Sequence, residues 1–461
     1  MTEQELLGWM QEDGFSHKDL YRRARRKHER RLQAATHQVI AAAAEGTGYE
    51  QAAASLFSAC VPAIPYAPAA AFLGCEKDRL VRHEGGTRRV ALVADGIGGM
   101  HGVTHTLDEI RERGVPGFEV EVIGTDASVD RRLPAVAEVD IPFYPGLSVG
   151  VPSLPATVET LAEGRYDLVH VCSPGPAGVV AALLARIMER PLVGSYHTEL
   201  GIYAGLRSGD PALRVGTDSV MSAFYGQCSV VLSPSPSADQ SLGALGIPAE
   251  RVDRWERGVD TARFTPGLRD PGRLPGEVSV LYAGRLTTEK GVDLLADAFL
   301  TARRRDPRLH LVLAGGGPEE NALTRRLGRH ATFLGWLEGE DLARAYASAD
   351  LFLFASSTDT FGQVILEAQA SGLPVVAVDR GGPRGLIADR CTGLLCPAEP
   401  RALADAVCEI TRSSALGEQL AAAALEAAKR RCWEFALERL AGGYRRALAT
   451  SADAAPLADV A

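Results

Sequence analysis

The eight cysteines (60, 75, 172, 228, 391, 396, 408 and 432) form no C-x-x-C pair, which removes the common zinc-ribbon and thioredoxin-like spacings. Several sit inside apolar segments, where a reduced thiol acts as a small hydrophobe, and this usage fits a reducing cytoplasm. No apolar run reaches the length of a membrane span. The opening Met1-Thr-Glu-Gln-Glu5 carries neither the basic n-region nor the apolar core of a signal peptide. A soluble or at most peripheral cytoplasmic protein is expected, with any peripheral contact on the inner membrane face. Excess positive charge is also missing: 49 Lys and Arg stand against 58 Asp and Glu, a net charge of −9 that argues against a nucleic-acid backbone as the main partner. With 46% apolar and 23% charged residues the chain is neither disordered nor fibrous. Its 461 residues exceed what one hydrophobic core serves, so two lobes with appendages are expected.

Short apolar runs alternate with helical patterns along most of the chain. A strand-like run from Arg89 reaches the glycine-rich turn Asp95-Gly-Ile-Gly-Gly-Met-His-Gly102, and a helical pattern follows through Leu107 and Ile110. Further strands are predicted at Val120 to Ile123, Leu168 to Val171, Leu192 to Ser195 and Val230 to Leu232, with a helix over Gly178 to Met188. The pattern breaks at Arg257-Gly-Val-Asp260 and a Pro/Gly-rich stretch to Gly276, then restarts. The second series runs through Val278 to Ala283, Leu309 to Ala314, Thr332 to Leu334, Leu351 to Phe354 and Pro374 to Val378. Such alternation predicts α/β architecture: two doubly wound lobes, each a parallel sheet covered by helices, facing each other across a cleft.

Four groups of residues carry chemistry. Gly284-Arg-Leu-Thr-Thr-Glu-Lys-Gly291 follows the first strand of the second series, placing Arg285 and Lys290 at its carboxyl end, where α/β sheets bind ligands. Two cations there suit a diphosphate: arginine forks onto two oxygens while lysine supplies a compact charge. In Thr358-Asp-Thr-Phe-Gly-Gln-Val-Ile-Leu-Glu367, two carboxylates flank a Phe361-Gly362 turn into an apolar helix. If Phe361 to Gln363 open that helix, their amides favour an anion and Glu367 can accept from a ribose diol. Taken alone, Asp359 would be an N-cap and Glu367 a solvated helix residue. His197 follows a predicted strand at its carboxyl end and should face the cleft, where it could donate to a sugar hydroxyl; taken alone it reads as a loop histidine. The glycine clusters Ala314-Gly-Gly-Gly-Pro318 and Phe333-Leu-Gly-Trp336 suit either a binding loop or plain turn chemistry. His101 and His105 lack a third ligand, and no metal site is expected.

Taken in order, Gly-Arg-Leu-x-x-Glu-Lys-Gly, Gly-Gly-Gly-Pro, Phe-Leu-Gly, Asp359-x7-Glu367 and Ala370-Ser-Gly-Leu-Pro-Val-Val-Ala377 closely resemble the retaining GT-B glycosyltransferases of family 4 (glycosyltransferase group 1) over residues 88 to 446. The resemblance implies two Rossmann-like lobes and a nucleotide-diphosphate sugar, UDP- or GDP-linked, as co-substrate with no other cofactor. It also implies hexosyl transfer with retention of configuration. Arg285 and Lys290 would act on the diphosphate, Glu367 on the ribose and Asp359 on the sugar hydroxyls. The turn at Phe361, Gly362 and Gln363 would hold phosphate and sugar. His197, in Val193-Gly-Ser-Tyr-His-Thr-Glu199, would reach the transferred sugar, and Gly98 and Gly99 would let the first lobe approach the donor or acceptor. No Asp-x-Asp occurs in the chain, in keeping with metal-independent members of the family. The chain departs from the family pattern where Asp359 stands for a frequent Glu, Gln363 for a common Asn and Gly385 for a frequently acidic residue.

The expected organisation is a helical extension over 1–86, an acceptor lobe over 87–256, a hinge over 257–276 and a donor lobe over 277–430. A helix over 431–447 would cross back to the first lobe, and 448–461 would form a disordered tail. The extension holds Arg22-Arg-Ala-Arg-Arg-Lys-His-Glu-Arg-Arg31 in a helix that Ser16 can cap, read either as attraction to an acidic membrane surface or anionic acceptor, or as a solvated face packed on the first lobe. The expected partners are a nucleotide sugar and a small-molecule or lipid hydroxyl acceptor. The Ser-Tyr-His-Thr-Glu segment looks most like members acting on phospholipid, glycolipid or inositol-type acceptors. Phosphorylase or epimerase chemistry on the same fold, and a non-catalytic nucleotide-sugar binder, are the competing readings.

Overall fold

The computed structural model describes residues 16–45, 49–61, 86–96, 102–140, 148–197, 199–201 and 211–453, with isolated positions among residues 4–11 and 68–80. Among the described residues, nine strands precede residue 255: β1 (Arg88–Val93), β2 (Phe118–Gly124), β3 (Arg131–Arg132), β4 (Ala135–Asp140), β5 (Ser148–Pro152), β6 (Leu168–Val171), β7 (Leu192–Ser195), β8 (Val230–Ser233) and β9 (Val252–Arg254). All but β4 and β5 belong to one sheet of order β3-β2-β1-β6-β7-β8-β9. Its strands read as continuous apolar runs because β6, β7 and β8 are buried at every residue, as parallel strands covered on both faces must be. The polar residue in β6, His170, is fully buried between the Ser195 and Tyr444 hydroxyls, which meet its Nε2 and Nδ1. Burial pushes its pKa down to about 3, so the ring is neutral.

The second sheet has six strands: β10 (Val278–Ala283), β11 (Leu309–Ala314), β12 (Ala331–Gly335), β13 (Leu351–Phe354), β14 (Val375–Val378) and β15 (Leu394–Cys396). All are parallel, in the order β12-β11-β10-β13-β14-β15. Strand order therefore reverses between β10 and β13, the place where doubly wound sheets open a crevice at their carboxyl ends. Alternate residues feed two cores. Val280, Tyr282, Leu351 and Leu353 pack with helix Val292–Arg305 on one face, and Leu281, Ala283, Phe352 and Phe354 with helix Gln363–Ala370 on the other.

The helices His17–Glu45 and Tyr49–Cys60 are built on the antiparallel pair β4–β5, where Leu32, Ala35 and Ala59 pack with Val136, Val151 and Leu154. Ser16 caps the first helix, its Oγ accepting from the Asp19 amide at 3.2 Å. Glu29 Oε1 accepts from Ser153 Oγ at 2.6 Å and from Arg25 Nε at 2.9 Å. The basic stretch thus belongs to a helix packed on its neighbours along one side. The antiparallel pair was not predicted, because Val-Ala-Glu-Val and Ser-Val-Gly-Val are short and separated by a Pro/Gly-containing stretch.

By internal contacts the residues form two compact units: Met1–Ser195 with Gln227–Ser229 and Tyr444–Ala461, and Tyr196–Gly226 with Val230–Gly443. The expected division at 256 and 257 falls inside the second unit. The last helix runs from Trp433 to Asp453, beyond the expected end at 447, because Ala447 and Ala449 sustain helix with no breaker between them. The remainder of the expected tail, 454–461, lies outside the described residues. Trp433 and Leu440 are buried packing residues.

Candidate active site

The site grows from the carboxyl ends of β10 and β13, both in the second unit. After β10 the chain turns through Gly284 at φ 139°, and the Arg285 carbonyl accepts from the buried Tyr282 hydroxyl at 2.8 Å. The β11 loop is pressed against it: Leu286 N donates to the Gly316 carbonyl at 2.9 Å, and a Cβ on Gly315 would stand 2.0 Å from the Gly284 carbonyl oxygen. The Gly315-Gly-Gly run therefore serves close backbone packing of two loops. The segment Thr288–Lys290 is then fastened to the loop that follows β13, since the Glu289 carbonyl accepts from Ser356 Oγ at 3.1 Å and Thr358 Oγ1 at 2.9 Å. The buried Glu289 carboxylate accepts from Thr287 Oγ1 at 2.7 Å and lies 3.5 Å from the Arg285 guanidinium. Arg285 and Lys290 are thereby held on one rigid loop at the switch point.

Lys290 Nζ donates to Asp359 Oδ2 at 2.6 Å. The other Asp359 oxygen accepts from the amides of Gly362 at 3.0 Å and Phe361 at 3.4 Å. Two of the three turn amides expected to meet phosphate and sugar are thus engaged by Asp359. The physical reason is reach, because a short aspartate folds back onto the amides two and three residues on, while Gly362 at φ 94° bends the chain to present them. Burial alone would raise the Asp359 carboxyl. The Lys290 ammonium, the Phe361 amide and the Arg257 guanidinium outweigh it and hold the group below its ordinary value.

Glu367 lies one turn into the helix Gln363–Ala370 and is buried rather than solvated. Burial pushes its carboxyl up to about 7, with the Tyr346 hydroxyl and the Gln363 side chain partly opposing that rise. Gln363 Nε2 donates to the Gly258 carbonyl at 3.0 Å, tying the helix start to the Arg257-Gly258 segment. His197 comes close to the Asp359 turn: its carbonyl accepts from Thr360 Oγ1 at 2.8 Å, its Nδ1 lies 3.2 Å from Arg257 Nη2, and its ring meets Trp255 edge-on. The second unit thus brings His197, Arg285, Lys290, Asp359, Phe361, Gly362, Gln363 and Glu367 into one connected constellation. Gly98, Gly99 and His101 lie outside the described residues. His105 Nε2 is 3.8 Å from Glu109, and among the described residues no cluster of three or more His, Cys, Asp or Glu is placed to hold a metal ion.

Sequence reasoning missed Arg257, Glu289, Tyr282 and Tyr346. Arg257 was read as the start of a hinge. Glu289 stood in the quoted motif without a role, and its neighbours Thr287 and Lys290 were the available signal. The two tyrosines are buried ring positions that no local pattern separates from ordinary core.

Two family models match: "Glycosyltransferase Family 4" over residues 98–263 and "Glycosyl transferases group 1" over residues 277–413. A GDP-mannose-dependent alpha-mannosyltransferase of Corynebacterium glutamicum is 32% identical over 383 residues, which is 79% of this chain and 90% of that protein. The chain belongs to glycosyltransferase family 4. A Mycobacterium tuberculosis protein of the same name is 34% identical to this family-4 chain, covering 77% of it and 96% of the relative. D-inositol 3-phosphate glycosyltransferase 1 of Catenulispora acidiphila is 32% identical, covering 75% and 90%. Among solved structures, Anabaena HepE with UDP and glucose aligns at TM-score 0.61 and 21% identity, over 77% of this chain and 99% of that one. Sucrose-phosphate synthase of Thermosynechococcus elongatus aligns at 0.61 and 22%, over 79% and 100%. These likenesses identify the GT-B fold. The family-4 enzyme is a hexosyltransferase that uses a nucleotide sugar, and the constellation around β10 and β13 lies at the switch point of its second sheet.

Proposed function

We propose that this family-4 enzyme transfers mannose from GDP-mannose to a hydroxyl of a small-molecule or lipid acceptor, with retention of configuration and without a metal ion. The observation that carries the reading is the pair of cations at the switch point: Arg285 beside the buried Glu289 and Lys290 against Asp359. Fixed cations of this kind stabilise a departing diphosphate in the role that a metal ion fills elsewhere. The choice of sugar and base rests on the alpha-mannosyltransferase names of relatives matched over nine-tenths or more of their length.

In the proposed reaction the acceptor oxygen forms a bond to the anomeric carbon as the bond from that carbon to the β-phosphate oxygen breaks. The electron pair leaves on the phosphate, which also takes the acceptor's proton on the same face. Lys290 exchanges its contact with Asp359 for one with the diphosphate, freeing a carboxylate oxygen to accept from a sugar hydroxyl. Glu367, beside Tyr346, accepts from the ribose diol in its ionised form, and His197 donates to the transferred sugar.

A thermal-shift series with GDP, UDP and ADP, followed by turnover of the matching sugars, tests the donor, because a ligand preferring the native state raises the melting temperature. GDP should give the largest shift. With GDP-mannose and D-inositol 3-phosphate or a lipid extract as acceptors, NMR of the product should show an α-linkage, and a chelator should leave the rate unchanged. A larger shift with UDP and turnover of UDP-glucose alone would overturn the donor assignment, and a β-linked product would overturn retention.

A further inference from the structure

The helix His17–Glu45 precedes the residues that either family model matches, and one side of it is unlike the rest of the chain. Between His17 and Arg31 there are eight Lys or Arg and two acids, in a protein of net charge −9. Its inner side is fixed by Leu32, Ala35 and Thr36, all buried, by Glu29 against Ser153, and by contacts of Tyr21 and Arg25 with Glu159. Its outer side exposes Lys18, Arg22, Arg26 and Arg30. Successive members of this set are four residues apart, so the stripe drifts slowly around the helix and extends for about 18 Å along it. Arg31 is exposed beside it. A solvated helix face has no need of so uneven a charge, since alternating signs would serve solubility equally well.

A second observation comes from the apolar side chains. Of the eleven large hydrophobic residues exposed among the described residues, five lie before residue 86. Phe57 is 70% and Val61 42% exposed at the end of helix Tyr49–Cys60, whose Ala52 and Ala59 are buried on its other side. Exposed apolar residues scattered singly need no explanation, but five of them in the same N-terminal segment as a cationic stripe have the composition of an interfacial membrane surface.

We propose that this segment docks the enzyme on an anionic phospholipid surface, with the stripe from Lys18 to Arg30 over the headgroups and Phe57 and Val61 entering the interface. The inference is independent of which sugar the enzyme transfers. Each cation near an anionic leaflet contributes roughly fivefold in partitioning, and that attraction is screened by salt.

Co-sedimentation of the full chain with vesicles of phosphatidylcholine alone, and with added phosphatidylglycerol, tests it at low and high salt. Binding should require the anionic lipid, weaken at high salt, and fall by well over about a hundredfold in R22E/R26E/R30E, since losing three cations alone accounts for about that factor. The neutral set R22Q/R26Q/R30Q should show a smaller loss at an unchanged melting temperature, which separates charge from folding. Phe57→Ser with Val61→Ser should weaken binding at both salt concentrations. Equal partitioning to neutral and anionic vesicles, no pelleting at low salt, or undiminished binding by the charge-reversed variant would overturn the proposal. So would tighter, competing binding to heparin, which would mark a site for a soluble polyanion.

Discussion

Removing Lys290 tests the centre of the proposed mechanism, because its ammonium has two separable effects. It neutralises Asp359 at 2.6 Å, with 19% and 17% of the two side chains exposed, and it is proposed to meet the leaving diphosphate. Breaking a buried ion pair from one side costs about 3–5 kcal/mol. The two turn amides and the Arg257 charge that remain around Asp359 place Lys290→Ala near the lower end, at about 3 kcal/mol by urea denaturation. Lys290→Ala with Asp359→Asn should recover most of that stability, because the uncompensated carboxylate is gone. Turnover should behave differently. Loss of a cation from the developing diphosphate should lower kcat about 100- to 1,000-fold, and the double variant should stay as slow. Asp359→Asn is measured alongside to complete the cycle. If the double variant regains kcat near that of the unaltered enzyme, lysine acts only by neutralising Asp359 and the leaving-group role is refuted.

Three further outcomes follow from buried groups and tight turns. Because the folded state raises Glu367 from 4.5 to about 7, it holds a proton the unfolded chain has released, so stability should fall as pH rises between those values, by up to about 3 kcal/mol. Urea melts across that range should show the slope and Glu367→Gln should remove it, while GDP should bind the unaltered enzyme more tightly as pH passes 7, where the ribose acceptor becomes ionised. His170 has the opposite sign: its pKa is lowered from 6.5 to about 3, so stability should fall as pH drops below 6.5, and Tyr444→Phe should cost about 1 kcal/mol at neutral pH by removing the Nδ1 partner. Gly315→Ala combines φ 138° with a Cβ 2.0 Å from the Gly284 carbonyl oxygen, so it should destabilise by at least about 2 kcal/mol and lower kcat by displacing Arg285; an unchanged urea midpoint would contradict the packed-loop description.

How much of this was legible beforehand depended on whether the information was local. Strands β6, β7, β10, β11 and β13 fall at their predicted bounds, because a fully buried parallel strand must be apolar at each position and glycines or turns fix its ends. The strand-end position of Arg285 and Lys290 was legible for the same reason, since a cation immediately after such a strand has only the sheet's carboxyl edge to occupy. The short edge strands β3 and β9 carry too few residues for any period to register. Arg257 escaped notice because a Pro/Gly-rich neighbourhood reads as a connection, and nothing in sequence shows that it lies 3.2 Å from His197.

By itself the sequence determined the two series of parallel strands, the motifs at their ends and the family to which they belong, because period, turn chemistry and motif spacing are properties of neighbouring residues. Only the tertiary structure decided the state of the acidic pair. Asp359 folds back onto its own turn and holds Lys290, while Glu367 is sealed beside Tyr346 at a pKa of about 7. The two carboxylates belong to one short segment and have opposite electrostatic fates. Ionisation is set by burial, by charges brought in from residues 257 and 290 and by the Tyr346 hydroxyl, and no local pattern encodes those distances.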